Sequence, residues 1–372
     1  MNKNNKTGRS IDQLAGDDSS SLNINSGKEK PNGISSERLS NFINKKRKKY
    51  NLDEYYDGII NGDRVVLGRA LTLIESKIKD DNDLSNKIID KCLSHSGKSI
   101  RIGITGIPGV GKSTFIETFG LYLLDKKKKV AVMAVDPSSN VSGGSLMGDK
   151  TRMDRLSSQA DVFIRPSATS GFLGGVNRAT REAIILCEAA GYDIILIETV
   201  GVGQSEILVH SMVDFFLLLQ IAGAGDELQG IKKGIMEMAD AIAVSKSDGD
   251  NLLKAKLCKQ ELENATHYSL NYDPDWNIPV IEISSQENKG IDKIWDIILK
   301  HNDIMTQKGK FAKKRKDQLN QWLKTSISQT LENYFYNDPH VMKEFDEIKK
   351  AVIDGRISPV VASENLLKIF RK

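Results

Sequence analysis

One short segment, Gly106-Ile-Pro-Gly-Val-Gly-Lys-Ser-Thr114, constrains the fold of this chain more than any other. It matches the pattern G-x-x-x-x-G-K-[ST]. The apolar stretch before it, Ser99 to Thr105, is typical of a buried strand, and the stretch after it, Phe115 to Asp125, has apolar residues at helical spacing. A strand, a glycine-rich turn and a helix form a cradle in which main-chain N–H groups and the helix dipole face a phosphate.

The residue types within this cradle each have a chemical reason. Glycines let the backbone approach phosphate oxygens without a Cβ in the way. Lys112 can reach the β- and γ-phosphates of a nucleotide, and the hydroxyl of Ser113 can ligate Mg²⁺. The predicted nucleotide-binding residues of this segment are Gly106, Ile107, Pro108, Gly109, Val110, Gly111, Lys112, Ser113 and Thr114.

A second motif indicates guanine as the base. The predicted strand Ala241–Val244 is followed by Ser245-Lys246-Ser247-Asp248, which resembles the N-K-x-D motif of GTPases. The carboxylate of Asp248 can accept hydrogen bonds from guanine N1–H and the N2 amino group, a pattern that adenine does not offer. The aliphatic part of Lys246 is expected to pack along the base.

The guanine motif departs from its usual form at its first residue, where Ser245 replaces asparagine. A hydroxyl cannot span both the base and the phosphate-binding loop as an amide does. We therefore expect nucleotide binding to be weaker by about 1 kcal/mol, the worth of one neutral hydrogen bond. A later strand ends at Ser284, Ser285 and Gln286, where a main-chain N–H can meet guanine O6, and together the two motifs predict GTP rather than ATP.

Acidic residues follow two further predicted strands. Asp136 follows the strand Val130–Val135 and can reach Mg²⁺ directly or through a water, and Asp149 in the glycine-rich segment beyond it offers a second acidic contact. Glu198 follows the predicted strand Ile194–Ile197, and the peptide of Gly201 could bond the γ-phosphate and swing away after hydrolysis.

Composition places the chain among ordinary globular proteins. Its 372 residues suffice for one large α/β domain with extensions. The net charge of +4, from 53 basic and 49 acidic residues, is too small to indicate a nucleic-acid partner. No apolar run approaches the length that crosses a bilayer. Cys92, Cys187 and Cys258 include no C-x-x-C pair, which argues against disulfides and a structural zinc site.

The beginning of the chain bears on its compartment. No apolar core follows the first basic residues, which argues against a secretory signal, and Asp12, Asp17 and Asp18 argue against a transit peptide. We expect a cytoplasmic protein, with the mitochondrial matrix as the alternative.

The chain divides into four predicted regions. Residues 1–38 are polar and predicted to be disordered, and residues 39–98 form a helical extension. In residues 99–303 seven apolar runs alternate with helical stretches, which predicts a doubly wound, mostly parallel sheet. The predicted strands are Ile100–Thr105, Val130–Val135, Val162–Arg165, Ile194–Ile197, Phe215–Gln220, Ala241–Ser245 and Val280–Ile283.

Residues 304–372 have helical periodicity without a sheet of their own. A wide apolar stripe runs along the first of these helices, and two shorter helices are predicted at Val341–Val352 and Val360–Phe370. These helices either pack on the nucleotide domain or form a dimerisation arm. The stripe consists of Leu319, Trp322, Leu323, Ile327, Leu331, Tyr334 and Phe335.

These motifs together resemble one family, the MeaB-type P-loop GTPases, also called ArgK or, in mitochondria, the methylmalonic aciduria type A protein. The family belongs to the SIMIBI class. Beside the phosphate-binding loop, the resembling stretches are Gly62–Arg64, Leu73–Ser76, Ala134–Ser139, Ser142–Ser145, Gly148–Met153, Glu198–Glu206, Gly223–Gly234 and Gly355–Pro359 with Leu366-Leu367.

The resemblance implies a homodimer that hydrolyses GTP slowly and chaperones methylmalonyl-CoA mutase or a related cobalamin-dependent acyl-CoA mutase. It implies delivery of adenosylcobalamin and protection of the mutase, with the cobalamin adenosyltransferase as a further candidate partner. By position, Lys112, Asp149 and Glu198 would be catalytic. The implied Mg²⁺ residues are Ser113, Asp136, Asp149 and Glu198, and Asp226 and Lys232 would lie in a third switch that responds to the mutase.

Two other classes share the phosphate-binding loop. A nickel-insertion GTPase would need cysteine or histidine ligands near the loop or the switches, and no such spacing is visible. A P-loop kinase or ATPase would need an acceptor pocket and a base, and the sequence contains no dedicated lid.

Overall fold

The computed structural model of the chain describes residues 50–76, 78–135, 153–165, 173–199, 204–222, 233–267 and 274–371. The predicted disordered region 1–38 lies outside this range. So do five of the predicted site residues, Asp136, Asp149, Gly201, Asp226 and Lys232.

A parallel sheet forms the centre of the fold, which confirms the α/β class. All of its neighbouring strands pair in parallel, in the order β3-β2-β4-β1-β5-β6-β7. The strands are β1 Ile100–Gly106, β2 Val130–Val135, β3 Val162–Arg165, β4 Ile194–Thr199, β5 Phe215–Ile221, β6 Ala241–Ser245 and β7 Val280–Glu282.

The strands are apolar along their length because helices cover both faces of the sheet. On β4, Ile195 and Ile197 belong to one buried cluster, and Ile194 and Leu196 belong to another on the opposite face. Since β1 lies between β4 and β5, the chain order reverses beside β1. In open α/β sheets the ligand crevice forms at the carboxyl end of the strands at such a reversal.

Helices surround the sheet and extend beyond it. The three helices before β1 are α1 Leu52–Ile60, α2 Arg64–Ile74 and α3 Lys79–Cys92, where one helical stretch was expected. The described helices that follow are α4 Lys112–Asp125, α5 Asp154–Ser157, α6 Leu173–Ala189, α7 Gln204–His210, α8 Lys233–Met238, α9 Leu252–His267, α10 Ile291–Gln307, α11 Lys310–Tyr336, α12 Pro339–Ile353 and α13 Pro359–Phe370.

The N-terminal helices pack on α6 through one side of α2. Asp63 caps α2 by accepting hydrogen bonds from the main-chain N–H groups of Val65 and Val66, at 2.8 and 3.1 Å. Val66 and Ala70 are buried, but Val65 is 61% exposed. Val65 directly follows the first helical residue, and its position on the helix turns it away from the core.

The start of α11 is attached to the amino ends of β1 and β5, at the edge of the sheet opposite the phosphate-binding loop. Two guanidinium nitrogens of Arg315 donate to the carboxylate of Asp214, at 2.7 and 2.9 Å. Arg315 also donates to the main-chain oxygens of Gly97 and Ser99. One turn further on, Gln318 Nε2 donates to the main-chain oxygen of Val213 at 2.8 Å.

Beyond this attachment, much of the predicted apolar stripe of α11 is exposed in the part of the chain that the structure describes. Trp322 is an exception, because it packs against the core cluster around α6. The members that are at least half exposed are Leu319, Leu323, Ile327, Leu331 and Tyr334. The described residues of the nucleotide domain therefore leave these five side chains at least half exposed.

The helices within the described ranges contain no segment with the length and apolar character needed to span a bilayer.

Candidate nucleotide-binding site

The phosphate-binding loop joins the carboxyl end of β1 to the first turn of α4. Gly106 has a φ of +149°, and a Cβ on it would lie 2.5 Å from the main-chain oxygen of Leu219 on β5. Any other residue would clash there, since real Cβ atoms do not approach a carbonyl oxygen so closely. Gly109 and Gly111 have φ values of +81° and +102°, a region that favours glycine. The sequence therefore folds this loop as a tight turn.

Lys112 is the first residue of α4, and its side chain turns back into the loop. The residue is 9% exposed, and its Nζ donates to the main-chain oxygens of Gly106 at 2.7 Å and Ile107 at 3.3 Å. Burial lowers the pKa of Lys112, while Glu198 and Glu206 act in the opposite direction. The ammonium group is thus held inside the loop, next to the N-terminal N–H groups of α4.

The side chains of Ser113 and Glu198 meet across the carboxyl ends of β1 and β4. Ser113 Oγ donates to Glu198 Oε1 at 3.2 Å, and Glu198 pairs with Ile104 in the register of the two strands. Glu198 was expected after the strand, but β4 continues to Thr199, so Glu198 lies within it. Its position is fixed by the ladder, and Thr199 Oγ1 adds a 2.8 Å hydrogen bond to Thr105 Oγ1 on β1.

The oxygen atoms of Ser113 and Glu198 fit a magnesium ion. Mg²⁺ prefers hard oxygen ligands and is commonly held by one or two protein groups, phosphate oxygens and waters. In the part of the chain that the structure describes, no group of three histidine, cysteine, aspartate or glutamate residues could hold a metal by itself. The residues therefore fit a metal that is bound together with a nucleotide rather than a metal in a protein cage.

The structure shows which groups the hydroxyl of Ser245 contacts. Its Oγ lies 2.7 Å from the main-chain oxygen of Val110 in the phosphate-binding loop and 2.9 Å from that of Gln220 on β5. The hydroxyl therefore joins the phosphate-binding loop to β5 and β6. The weaker nucleotide binding expected from the replacement of asparagine stays a prediction.

The remaining predicted base-reading residues lie at the ends of β6 and β7. Ser284 Oγ donates to Asp248 Oδ2 and accepts a hydrogen bond from the main-chain N–H of Glu287 at 3.1 Å. The carboxylate of Asp248 is partly exposed and held in place by this contact. Ser285 belongs to the same loop, and the side chain of Gln286 is exposed.

Lys246 and Thr118 connect this region to the phosphate-binding loop and its helix. Lys246 has a φ of +55°, unusual for a residue with a side chain, and its Cε lies 4.0 Å from a Cβ placed on Gly111. Thr118 Oγ1 on α4 donates to the main-chain oxygen of Ser285 at 3.1 Å. Phosphate-side and base-side residues are therefore joined by hydrogen bonds in one crevice.

Sequence reasoning did not assign a role to Glu206 or Thr118. Glu206 on α7 is 1% exposed, accepts a hydrogen bond from Ser205 Oγ at 3.1 Å, and raises the pKa of Lys112. A buried carboxylate near a predicted phosphate-binding lysine is a typical feature of a functional site. No spacing rule in the sequence predicts that Glu206 lies near Lys112 or that Thr118 bonds to Ser285. The available sequence signal for Glu206 was its place in the longer motif Glu198–Glu206.

The cysteines give no support to a metal-insertion site. Cys92, Cys187 and Cys258 are buried, and burial raises the pKa of each thiol, to about 11 for Cys92. A thiol must lose its proton to bind a metal, so these environments oppose metal binding.

Comparisons with known proteins agree with this geometry. Residues 67–340 match the family described as methylmalonyl-CoA mutase-associated GTPase MeaB. A probable GTPase of Mycobacterium bovis is 44% identical over 321 residues, which are 85% of this chain and 96% of that protein. The mouse protein named methylmalonic aciduria type A homolog, mitochondrial, is 43% identical over 330 residues, 86% of this chain and 80% of its own length.

Two further relatives are informative. The Escherichia coli protein named GTPase ArgK is 43% identical over 298 residues, which are 80% of this chain and 90% of that protein. Among solved structures, a crystal structure of a protein named LAO/AO transport system kinase has a TM-score of 0.68 and 36% identity, covering 87% of this chain and all of that one.

Proposed function

Because this chain belongs to the family of methylmalonyl-CoA mutase-associated GTPases, and is itself a GTPase, we propose that it is a GTP-dependent chaperone of methylmalonyl-CoA mutase or a related acyl-CoA mutase. In this role it gates the delivery of adenosylcobalamin and protects the mutase from inactivation. The cobalamin adenosyltransferase is a further proposed partner. The observation that carries the proposal is the crevice in which the phosphate-binding loop and α4 are joined to the base-side residues, through the bonds of Ser245 to Val110 and of Thr118 to Ser285.

The phosphate side of the crevice supports binding of a triphosphate. The buried ammonium of Lys112 supplies positive charge, and the N-terminal N–H groups of α4 supply donors for phosphate oxygens. Ser113 and Glu198, with Asp136 and Asp149 from outside the described residues, are the proposed magnesium residues. When bound, Mg²⁺ would supply charge neutralisation of the β- and γ-phosphates. Lys112, Glu198 and Asp149 remain the proposed catalytic residues, and Gly201 the proposed γ-phosphate sensor.

The role of Glu198 can be tested with Glu198→Gln, which keeps the shape of the side chain but removes its charge. We expect the single-turnover rate of GTP hydrolysis to fall about tenfold or more, because a neutral amide orients Mg²⁺ and water more weakly than a carboxylate. The matched control is Glu261→Gln on an exposed face of α9, with the wild-type rate expected. An unchanged rate in Glu198→Gln would reject this role.

The base side of the crevice supports guanine. Asp248 is oriented by Ser284, and Lys246 lies over the loop at Gly111. The carboxylate can accept both guanine N1–H and the N2 amino group, and the loop at Ser285 and Gln286 offers main-chain donors near the position expected for O6. The arrangement favours guanine because adenine would leave the carboxylate unpaired.

Asp248→Asn is expected to exchange guanine for xanthine. Asparagine keeps an acceptor for N1–H but presents N–H donors where guanine also has donors, whereas xanthine has an oxygen at that position. We expect GTP binding to weaken by about thirtyfold, the worth of one hydrogen bond to a charged group, and XTP binding to improve. Competition of both nucleotides against a fluorescent GTP analogue measures this, and an unchanged preference for GTP would show that Asp248 does not read the base.

Coupling to the mutase is proposed for the segments next to the γ-phosphate. Asp226 and Lys232, which lie outside the described residues, are the proposed switch residues that respond to the mutase. The exposed stripe of α11 is the proposed surface of a homodimer, since five of its apolar side chains are at least half exposed among the described residues. The cytoplasm is the proposed compartment, with the mitochondrial matrix as the alternative because the mouse relative is named mitochondrial.

The chaperone role can be tested with purified methylmalonyl-CoA mutase. We expect the mutase to bind the wild-type chain in a manner that depends on the nucleotide, with different affinities for the GDP state and for a non-hydrolysable GTP state, and to change the GTP hydrolysis rate. Biolayer interferometry and a phosphate-release assay measure the two effects. If the mutase neither binds in any nucleotide state nor alters hydrolysis, the chaperone proposal is wrong, although the chain remains a GTPase.

A further inference from the structure

The hydroxyl group of Ser245 is buried, and its hydrogen bonds are made to other groups of the protein. Ser245 is 4% exposed, and both of its hydrogen-bond partners are main-chain carbonyl oxygens, of Val110 at 2.7 Å and Gln220 at 2.9 Å. Both partners only accept hydrogen bonds. The single hydroxyl hydrogen of serine is therefore used within these two contacts.

A purine N7 atom needs a donor, because it is itself only an acceptor. In the usual N-K-x-D motif the asparagine amide carries two hydrogens, so it can serve a loop carbonyl and a base atom together. Ser245 has no second hydrogen, and what remains on its oxygen is acceptor capacity. An acceptor facing N7 would repel it rather than bind it.

The neighbouring residues do not supply the missing donor from the same place. The side chain of Ser247 is turned back to donate to the main-chain oxygen of Val244 at 2.8 Å. Lys246 lies with its Cε over Gly111, so its side chain is placed to cover a face of the base rather than an edge. Asp248 and Ser284 form the opposite, Watson–Crick side of the base site.

We propose that this chain selects guanine without reading N7, so that the base is recognised only on its N1, N2 and O6 side. This inference rests on the proposed binding of GTP and names which part of the base that site reads. Guanine nucleotides that lack the N7 acceptor are therefore accepted as ligands, and Ser245 is the residue that determines this tolerance. Its role is to attach the phosphate-binding loop to β5 and β6.

The test compares GTP with 7-deaza-GTP, which replaces N7 by a carbon and leaves the Watson–Crick edge unchanged. Both are titrated by calorimetry into the full chain with magnesium present. We expect the two dissociation constants to agree within threefold. A 7-deaza-GTP affinity that is lower by threefold or more would overturn the proposal, because one ordinary hydrogen bond is worth about that factor or more.

A third nucleotide separates this inference from the proposed function. Inosine triphosphate keeps N7 but lacks the N2 amino group, so it tests Asp248 rather than Ser245. If inosine triphosphate and GTP bind equally well, the proposed reading by Asp248 fails. If GTP does not bind at all, the proposed function fails. Neither result depends on the ratio between GTP and 7-deaza-GTP.

The variant Ser245→Asn tests the residue itself. The amide can donate one hydrogen to Val110 and the other to N7, so we expect GTP to bind about fivefold more tightly than to wild type while 7-deaza-GTP stays unchanged. An equal gain for both nucleotides would overturn the assignment to N7. Should the larger side chain prevent folding, the wild-type ratio of the two nucleotides decides the question alone.

Discussion

Lys112→Ala is expected to weaken GTP binding by about hundredfold or more. The ammonium group is buried in the loop and bonded to the main-chain oxygens of Gly106 and Ile107, where it can exchange these partners for phosphate oxygens. Hydrogen bonds to charged groups contribute about 1.5–3 kcal/mol each, and two of them account for this loss. Calorimetric titration with GTP and magnesium measures the change.

The matched control for Lys112→Ala is Lys126→Ala. Lys126 follows the last residue of the same helix, about 20 Å from Lys112 at the rise of an α-helix, and it is exposed. Removing its charge is expected to leave GTP affinity unchanged. An affinity for GTP in Lys112→Ala that matches the control would contradict the phosphate-binding role of this loop.

Arg315→Ala is expected to lower the free energy of unfolding by about 3–5 kcal/mol, the usual cost of removing one partner of a buried ion pair. The side chains of Arg315 and Asp214 are 15% and 4% exposed. Burial opposes the charge of Arg315, but its hydrogen bonds and attraction to Asp214 raise its pKa overall. Among the described residues, the substitution leaves the main-chain N–H of Arg101 as the remaining hydrogen-bond donor to the Asp214 carboxylate, and it removes the donor to Gly97 and Ser99. Urea denaturation followed by circular dichroism measures the loss.

Lys316→Ala provides the control for this prediction. Lys316 is the next residue of α11 and is exposed, so its loss is expected to change stability by less than about 0.5 kcal/mol. Equal stabilities of the two variants would mean that α11 is not held to the sheet through Arg315. Since Arg315 lies at the edge opposite the phosphate-binding loop, the GTP affinity of folded Arg315→Ala is expected to stay at the wild-type value.

The strands of the sheet could be predicted closely because each of them corresponds to a continuous apolar run in the sequence. Val130–Val135, Val162–Arg165 and Ala241–Ser245 have the predicted bounds, since a continuous apolar run covered on both faces leaves little choice. The predicted strand Ile194–Ile197 ends two residues before the observed end of β4 at Thr199. Glu198 and Thr199 are polar, but they pair with Ala134 and Val135 of β2, and the sequence contains no sign of that pairing.

The contacts of the candidate site were less predictable because they join distant parts of the chain. Ser245 lies 135 positions from Val110, and Thr118 lies 167 positions from Ser285. The motif predicted that the hydroxyl of Ser245 cannot serve both the loop and the base, but it did not indicate that the hydroxyl bonds to Val110 in the loop and to Gln220 on β5. Such a result depends on backbone placement to within a few tenths of an ångström, which residue spacing does not encode.

The C-terminal helices show a different limit of prediction from sequence. Periodicity predicted α11 and its apolar stripe, and the predicted helices at Val341–Val352 and Val360–Phe370 differ from α12 and α13 by no more than two residues at any end. Periodicity identifies the apolar side of a helix but not what covers it. Leu323 and Leu331 are exposed among the described residues, and their cover by a second subunit stays a prediction.

The central claim is that the crevice at the carboxyl end of β1 binds a guanine nucleotide through its phosphates and its base together. Calorimetric titration of the purified chain with GTP and, separately, with ATP at the same magnesium concentration tests this most directly. We predict saturable binding of one GTP per chain and an affinity for ATP that is lower by about tenfold or more, since adenine leaves Asp248 unpaired. No binding of GTP, or equal binding of GTP and ATP, would contradict the claim.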